Sequence, residues 1–437
     1  MKLIVTAFVV CLLPLQVLAG VDIKPVRSAG GIDAWLVEDH SIPFMALELR
    51  FRGGTTLDDE GTRGAVNLMT GLLDEGAGDL DSQSYARALE DLAASISFDA
   101  SDDDVSVSAR FLSENRKDVL DLLRLALIEP RFDQDAIERV RAQILSGLRS
   151  DATDPDVIAG NTFSKLAYGS HPYGSSGDGT LDSVSGINRD ALVAVHRAAL
   201  SRDRLYVGAV GDITADELGV LLDRLLSDLP KEGGPIPEPV EVLISGGVTV
   251  VPFDTPQSVV LFGHEGIDRD DPDFIAAFVM NHILGGGGFE SRLMQEVREK
   301  RGLTYGVYSY LLPKDLAAVY LGSVASTNDR VAEAVDVIRD EWKKFAEAGA
   351  TLEELEAAKT YLTGAYPLRF DGHGRIASIM TGMQMQGLAL DYINVRNDLV
   401  NAVSLDDIRR VAKRVLDPER LHFVIVGQPD GLESTKD

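Results

Sequence analysis

The sequence predicts an α+β fold made of two similar domains. Residues 204–211 and 420–427 both start with Arg-Leu, continue through an apolar run and end in glycine. The stretches before them correspond at the same offset, so that Leu192 matches Ile408. Residues 231–239 separate the two copies and are rich in proline and glycine, which is typical of a linker. The chain is therefore predicted to be a pair of related domains.

This repeat sets the predicted boundaries along the chain. Asn188 and Ser404 occupy equivalent positions at the start of a helix in each copy, where such side chains cap free N–H groups. The predicted parts, in order, are a leader at residues 1–19, a first domain at 20–230, a linker at 231–239 and a second domain at 240–437.

The leader has the pattern of a secretory signal peptide. Lys2 provides a positive start, residues 3–13 form an apolar core, and Val17-Leu18-Ala19 supplies a cleavage signal before Gly20. A membrane anchor is the alternative, but the apolar run is shorter than the ~20 residues that a spanning helix needs. We therefore predict a periplasmic protein that keeps no stable membrane anchor after cleavage.

The cysteine content and the net charge argue against several kinds of ligand and partner. The only cysteine, Cys11, lies in the leader, so the mature chain is predicted to lack disulfides and thiolate metal sites. The net charge of −27 over 437 residues argues against a nucleic-acid partner, because such binding depends on Lys and Arg that neutralise phosphates. It favours cationic substrates or a less acidic partner protein.

The first domain reads as a mixture of strands and helices. Residues 45–51 alternate between apolar and polar side chains, the period of a half-buried strand, and the glycines that follow end it. The further elements predicted here, in order, are helices at about 62–74 and 82–94, paired strands flanking 101–104, helices at about 116–127 and 133–149, a loop at 171–174, a helix, and a strand at 204–211.

An acidic trio, Asp102-Asp103-Asp104, lies between the paired strands. A cation site is one interpretation of these carboxylates. A solvated hairpin turn is the simpler one, since no further oxygen ligands cluster near them in the sequence.

The second domain contains a distinctive stretch that begins with four consecutive glycines. Glycine adopts backbone conformations that are closed to other residues, so this run predicts a flexible loop. The members of the loop, together with the residue that follows it, are Gly285, Gly286, Gly287, Gly288 and Phe289.

A helix of about three turns and a strand are predicted after the glycines. Leu293 and Val297 recur at helical spacing, and Gly302 follows a basic pair as a C-terminal stop does. Beyond it, the alternation predicts that Leu303 and Tyr305 share one face of a strand that runs to residue 310.

The residues alone show no catalytic centre. No two of the seven histidines lie within four residues of each other, which excludes a zinc site from His at i and i+4 on one helix. Histidines that converge from distant parts of the chain remain open as an autonomous metal site. The glycine run lacks the Lys-Ser/Thr ending of a P-loop, and Gly174-Ser175-Ser176-Gly177 lacks the spacing of a nucleophile elbow.

Taken together, the motifs resemble those of the M16 (pitrilysin-like) zinc peptidases, in the branch of two-domain subunits. The resemblance covers nearly the whole mature chain and depends most on residues 286–293 leading into residues 298–305. The duplicated halves, the loop at 171–174 and Gln257 add to it. It implies a clamshell subunit, in which each half is a mainly antiparallel sheet with helices packed against it.

The zinc ligands of the resembled family are replaced in this chain. Alignment of the preceding residues places Asn67, Thr70 and Gly71 at the His, Glu and second His of the family's His-x-x-Glu-His motif. The helix near Ser146-Gly147, where a further glutamate is expected, has no acidic residue there. The resemblance therefore implies that this chain binds no cofactor itself and that zinc is expected on a partner subunit.

A second feature of the family is kept. Arg298 and Tyr305 match the Arg/Tyr pair that, in the family, helps to bind the substrate backbone and the developing oxyanion. Positioned guanidinium and phenol groups suit that role because negative charge develops on the carbonyl oxygen during hydrolysis. The simpler interpretation is a solvated helix arginine and a packed strand tyrosine. The glycines 285–288 and Phe289 are expected to lie near the substrate or the subunit interface.

The leading hypothesis is the non-metal-binding subunit of a heterodimeric periplasmic zinc peptidase. A zinc-bearing M16 homologue is the expected partner, and a peptide or unfolded protein is the expected substrate, with basic peptides favoured by the acidic charge. The alternative is a catalytically inactive pseudoenzyme of the same fold that binds peptides or scaffolds an assembly. An autonomous metallopeptidase is the third possibility.

Overall fold

A computed structural model describes residues 21–435, so the predicted signal peptide lies outside the described range. Within that range the chain forms two α+β units of the same topology, and each has its own hydrophobic core. No helix between residues 21 and 435 combines the length and the apolar character needed to cross a bilayer.

The first unit is built on a six-stranded sheet and a small two-stranded one. Its strands are β1 (Lys24–Arg27), β2 (Asp33–Glu38), β3 (Phe44–Arg52), β4 (Gly76–Ala77), β5 (Leu80–Asp81), β6 (Ser95–Ala100), β7 (Asp104–Leu112) and β8 (Leu205–Gly211). Its helices are α1 (Ala65–Thr70), α2 (Ser82–Asp91), α3 (Arg116–Ile128), α4 (Gln134–Asp151), α5 (Pro155–Tyr168), α6 (Leu181–Gly186), α7 (Arg189–Ala199) and α8 (Ala215–Leu226).

The second unit is built on a five-stranded sheet. Its strands are β9 (Gly247–Pro252), β10 (Gln257–Glu265), β11 (Val307–Pro313), β12 (Ala318–Thr327) and β13 (His422–Gly427). Its helices are α9 (Phe274–Asn281), α10 (Val331–Ala348), α11 (Leu352–Ala365), α12 (His373–Met385), α13 (Tyr392–Ala402) and α14 (Leu405–Val415), with π-helical turns at His282–Gly286 and Met294–Glu299.

The two sheets repeat one strand order, which confirms the predicted duplication. The first sheet runs β1-β2-β8-β3-β7-β6, and the second, read in the matching direction, runs β9-β13-β10-β12-β11. Strand β8 thus corresponds to β13 and β6 to β11, while β1 has no counterpart. Each sheet is antiparallel except for one parallel pair, β2 with β8 and β13 with β9. The predicted caps are also present, because the Asn188 side chain accepts from Ala191 N and that of Ser404 from Asp407 N.

Each unit donates one helix to the sheet of the other. Phe163 on α5 packs with Val424 and Val426 of β13, while Met380 on α12 packs with Val210 of β8. This approach is close, since a Cβ placed at position 208 on β8 would lie 2.6 Å from a backbone oxygen of α12. Helix α5 was not among the predicted elements, although it holds the two units together.

The acidic trio forms the predicted hairpin turn, but the turn is not simply solvated. The carboxylate of Asp102 pairs with Lys314 of the second unit, and Asp103 accepts from the backbone N–H of Asp315 at 3.2 Å. Tyr173 donates a hydrogen bond to Asp103 and accepts one from the backbone N–H of residue 316. The trio therefore contributes to the contact between the units. The sequence did not indicate this contact, because its partners in the second unit lie 212 residues further along the chain.

Two helices of the first unit are shorter than predicted. The helix expected at 62–74 is limited to α1, because Gly64 has a left-handed backbone just before it and Gly71 caps its end. Its start is held by Asp58, whose carboxylate accepts from the N–H groups of Gly64 and Val66 at 2.8 and 2.9 Å. The expected helix at 82–94 ends at Asp91.

Candidate functional site

The glycine run is a folded segment and not the flexible loop predicted from its composition. Gly285 is buried in the π-helical turn His282–Gly286, where a Cβ would lie 2.2 Å from Ser309 Oγ on β11. Gly286 is exposed, whereas Gly287 is partly covered. Gly288 has φ of +60° in open space, which lets the chain turn there. Gly285 thus allows close packing against β11, and Gly288 allows the backbone to turn.

Phe289 follows this turn and is 61% exposed. Its carbonyl oxygen accepts a hydrogen bond from Gln295 Nε2 at 2.8 Å, which ties the turn to the next helical segment. Its ring lies under the Arg298 guanidinium, with 4.5 Å between the ring centroid and Cζ. Phe289 is therefore a neighbour of the predicted site arginine, and it contacts Arg298 through its aromatic face.

Arg298 lies in the π-helical turn Met294–Glu299, which is shorter than the predicted helix of three turns. Leu293 and Val297 are fully buried, as their spacing predicted, and they fix this turn on the core. Gly302 then ends it with φ of +62° and donates from its N–H to Arg298 O at 2.7 Å. These contacts hold the backbone of Arg298 against the core.

The guanidinium of Arg298 makes no hydrogen bond within residues 21–435. Its Nη1 lies 3.5 Å from Glu299 Oε1, but the alignment is too poor for a hydrogen bond, and the atom has no other partner within residues 21–435. The side chain as a whole remains 30% exposed. An acceptor brought to the exposed part of the guanidinium, such as a carbonyl or carboxylate oxygen, would find donors in a planar fork.

Tyr305 does not lie on the strand face predicted for it. Strand β11 begins only at Val307, and Tyr305 occupies a bend where it is 88% exposed, whereas Leu303 is buried. The reason is Thr304, whose hydroxyl accepts from Gly306 N at 3.1 Å and donates to Ala325 O on β12 at 2.7 Å. These side-chain bonds replace strand pairing and project the phenol outward.

Thr304 is therefore a supporting residue that the sequence interpretation missed. The signal was present in Thr304-Tyr305-Gly306, since a threonine two residues before a glycine is a common start of a side-chain turn. No hydrogen bond joins Arg298 and Tyr305 within the described residues. Tyr305 is open to solvent, whereas Arg298 is mostly covered and only part of its guanidinium is accessible to another molecule.

The positions aligned with the zinc motif lie on and beside α1, packed against α4. The Asn67 amide donates to Asp178 Oδ1 at 2.8 Å, and the Thr70 hydroxyl donates to Asn67 O at 2.9 Å. Gly71 has no side chain to offer. On α4, Ser146 and Gly147 are exposed, and Gly147 has open space around it.

This donor set does not fit zinc. An amide engaged with Asp178, a hydroxyl used within its own helix and two glycines cannot replace imidazole and carboxylate ligands at about 2 Å. No group of three or more His, Cys, Asp or Glu side chains in residues 21–435 is arranged to hold a metal ion. The scattered histidines do not converge there, which removes the basis for an autonomous metal site in that range.

The duplicated sheets, the exchanged helices and the segment from Gly285 to Tyr305 define an M16-type domain pair. Residues 34–177 match the family model described as insulinase (peptidase family M16), and residues 186–362 match the one described as the peptidase M16 inactive domain. The chain is 30% identical over 394 residues to a Helicobacter pylori protein named non-peptidase homolog YmxG, covering 89% of this chain and 90% of that protein. This chain belongs to the M16 peptidase family.

Other similar proteins agree with this assignment. An uncharacterized zinc protease of Bacillus subtilis named YmxG is 21% identical, covering 90% of this chain and 95% of that one. A crystal structure from Pseudomonas fluorescens, described as a peptidase M16 inactive domain, superimposes with a TM-score of 0.88 at 27% identity. It covers 95% of this chain and 100% of that one. The predicted family and fold class are thereby confirmed.

Proposed function

We propose that this chain is the non-metal-binding subunit of a heterodimeric M16 zinc peptidase in the periplasm. A zinc-bearing M16 homologue supplies the metal and the general base, and this chain supplies Arg298 and Tyr305. The observation that carries the proposal is the contrast between the two halves. The aligned zinc positions hold no ligand set, while Tyr305 is exposed beside the backbone bonds of Thr304 and Arg298 keeps an unpaired guanidinium nitrogen against Phe289.

The chemistry assigned to this chain is binding and charge stabilisation. The guanidinium of Arg298 holds a carbonyl of the peptide main chain through its donor fork. The phenol of Tyr305 donates to the oxygen that becomes negative during peptide hydrolysis, a role in which one positioned donor contributes ~3–4 kcal/mol. Thr304 and Phe289 are positioning residues, since Thr304 bonds the backbone N–H of Gly306, next to Tyr305, and Phe289 contacts the Arg298 guanidinium.

A pseudoenzyme that binds peptides without hydrolysis is the second candidate. The name of the Helicobacter pylori relative, a non-peptidase homolog, favours it, as does the loss of the zinc ligands. A pseudoenzyme would not require that Tyr305 be exposed at a bend that two hydrogen bonds of Thr304 stabilise. Reconstitution separates the two functions.

The test uses this chain and an M16 chain that carries His-x-x-Glu-His from the same source. Each is purified alone and mixed, and hydrolysis of an internally quenched peptide library is measured with zinc content determined by mass spectrometry. We expect zinc only on the partner, little activity from either chain alone and activity from the mixture. A mixture no more active than the partner alone would contradict the proposed subunit function.

A further inference from the structure

A cavity of about 280 Å³ lies beside the glycine run, between the turn His282–Gly286 and helix α11. Its walls are largely apolar, formed by Ile283, which is 5% exposed, and by Ala357 and Ala358. It is smaller than most cavities that hold whole ligands, which run from ~300 to ~1,000 Å³. Its size suits one long side chain. We call it the His282 pocket.

Two stacked rings form one side of this pocket. The imidazole of His282 lies on the Tyr361 ring, with centroids 5.1 Å apart and planes 22° from parallel. Tyr361 is 63% exposed, so much of this residue remains accessible where it lines the pocket. Burial lowers the pKa of His282, and a neutral imidazole does not repel a cation.

The rim of the pocket carries uncompensated negative charge. Glu290 and Glu353 are exposed, and neither makes an ion pair or side-chain hydrogen bond within residues 21–435. Glu354 differs, because Arg292 binds its two oxygens at 2.6 and 2.8 Å. Burial alone would raise the pKa of Glu354, but the hydrogen bonds from Arg292 and Thr351 bring it down to about 2.

We infer that the His282 pocket binds the side chain of one arginine or lysine of a peptide. Apolar walls accommodate the methylene chain, the accessible Tyr361 ring attracts the cation, and the two free carboxylates pair with its charged end. A neutral or acidic side chain would leave both carboxylates unpaired. The pocket is thus a basic-residue subsite.

Its position links it to the proposed peptide site. The turn Gly288–Glu290 places Phe289 against Arg298, while Glu290 lines the His282 pocket. A peptide whose main chain lies at Arg298 and Tyr305 would pass this turn and insert one basic side chain. The inference rests on the proposed function for that orientation, but binding to the pocket requires only this chain.

The test measures binding of a peptide to the isolated full-length chain by fluorescence anisotropy with a neutral fluorophore. The probe is an alanine-glycine decapeptide with one central arginine, and its control carries citrulline, which has a similar shape but no charge. We expect the arginine peptide to bind at least about tenfold more tightly, with affinity falling as salt is raised. Equal affinities, or no binding of the arginine peptide, would overturn the inference.

Two pairs of glutamate-to-glutamine substitutions test whether the peptide binds in the His282 pocket. Glu290→Gln with Glu353→Gln is expected to reduce affinity for the arginine peptide to the level of the citrulline peptide. Glu347→Gln with Glu419→Gln removes the same charge from exposed positions outside the pocket and is expected to leave affinity unchanged. Equal losses from the two pairs would show a general charge effect and would contradict the subsite. Circular dichroism melts confirm that both variants fold.

The proposed function and the basic-residue subsite can be disproved independently of each other. Arg298→Ala with Tyr305→Phe keeps the pocket, so this variant should still discriminate arginine from citrulline as a single chain. If it does, while turnover of the mixture is unaffected, the proposed function fails and the subsite stands. If the glutamine variants bind normally and turnover depends on Arg298 and Tyr305, the subsite fails and the function stands.

Discussion

Thr304 and Phe289 show how neighbouring residues prepare the proposed site. The hydroxyl of Thr304 holds the bend that exposes Tyr305, and the ring of Phe289 lies against the guanidinium of Arg298. The Thr304 hydroxyl is engaged with the backbone of Ala325 and Gly306, and the Phe289 ring has no polar group. Their contribution is to reduce the conformational freedom that the functional side chains lose when substrate binds.

Replacing Thr304 with valine should lower turnover of the reconstituted complex. Valine keeps the shape but loses the bonds to Gly306 and Ala325, so we expect kcat to fall about tenfold, equivalent to ~1.4 kcal/mol. Thr304→Ser keeps the hydroxyl and should restore most of kcat. Valine and serine variants of equal kcat would show that the bend does not depend on this hydroxyl.

Replacing Phe289 with leucine should weaken substrate binding. Loss of the ring under Arg298 removes a cation–π contact of ~0.5–1 kcal/mol at an exposed position, so KM is expected to rise about two- to fivefold. Phe289→Tyr keeps an aromatic face and serves as the matched control. A tyrosine variant as impaired as the leucine one would argue against the cation–π contact.

The role of the proposed site residues stays a prediction, whereas their structural setting can be compared with what the sequence indicated. The resemblance to the family pointed to Arg298 and Tyr305, and Gly302 ended the helical segment as expected. Alternation also predicted Tyr305 on a buried strand face, because period 2 in a sequence does not show whether a side chain bonds its own backbone. Thr304 makes that bond, and the strand starts two residues after Tyr305.

At the scale of elements, the exchanged helices α5 and α12 determine how the two halves join. Periodicity predicted most strands and helices of the first half, since their apolar faces pack within their own unit. Helix α5 packs on the other unit, and the sequence indicates it only through Asp154-Pro155, a cap followed by proline at the first helical position. A partner surface supplied by distant residues cannot be inferred from local pattern.

The junction of the units should respond to pH through Asp315. Burial raises its pKa to about 6, although Arg52 pairs with it at 3.2 Å. The folded state therefore binds this proton more tightly than the unfolded state, whose pKa is ~3.9. The resulting stabilisation is present below about pH 4 and is lost as the pH rises through about 6.

Asp315→Asn should accordingly stabilise the chain at pH 8 relative to wild type, by on the order of 1 kcal/mol, and much less at pH 4.5. The measurement is the unfolding free energy from urea denaturation at both pH values. Asp329→Asn, at an exposed position, is the control and should show no such difference. A destabilised asparagine variant at pH 8 would mean that the ion pair with Arg52 outweighs burial.

At the scale of the whole molecule, the two units should unfold together. Each has its own core, but α5 and α12 each cover the other unit's sheet, so unfolding one unit exposes apolar surface of the other. We expect one calorimetric transition for the full chain, with van't Hoff and calorimetric enthalpies in agreement. Two separated transitions would show that the units are independent in stability.

In the proposed function this chain supplies half of a peptidase site, and kcat of the reconstituted complex tests that role most directly. Arg298→Ala with Tyr305→Phe should reduce kcat by about 10²- to 10³-fold or more without changing zinc on the partner. Lys300→Ala with Tyr308→Phe removes one positive charge and one phenol hydroxyl from neighbouring positions and should have little effect. A complex that keeps its kcat without Arg298 and Tyr305 would contradict the proposed function.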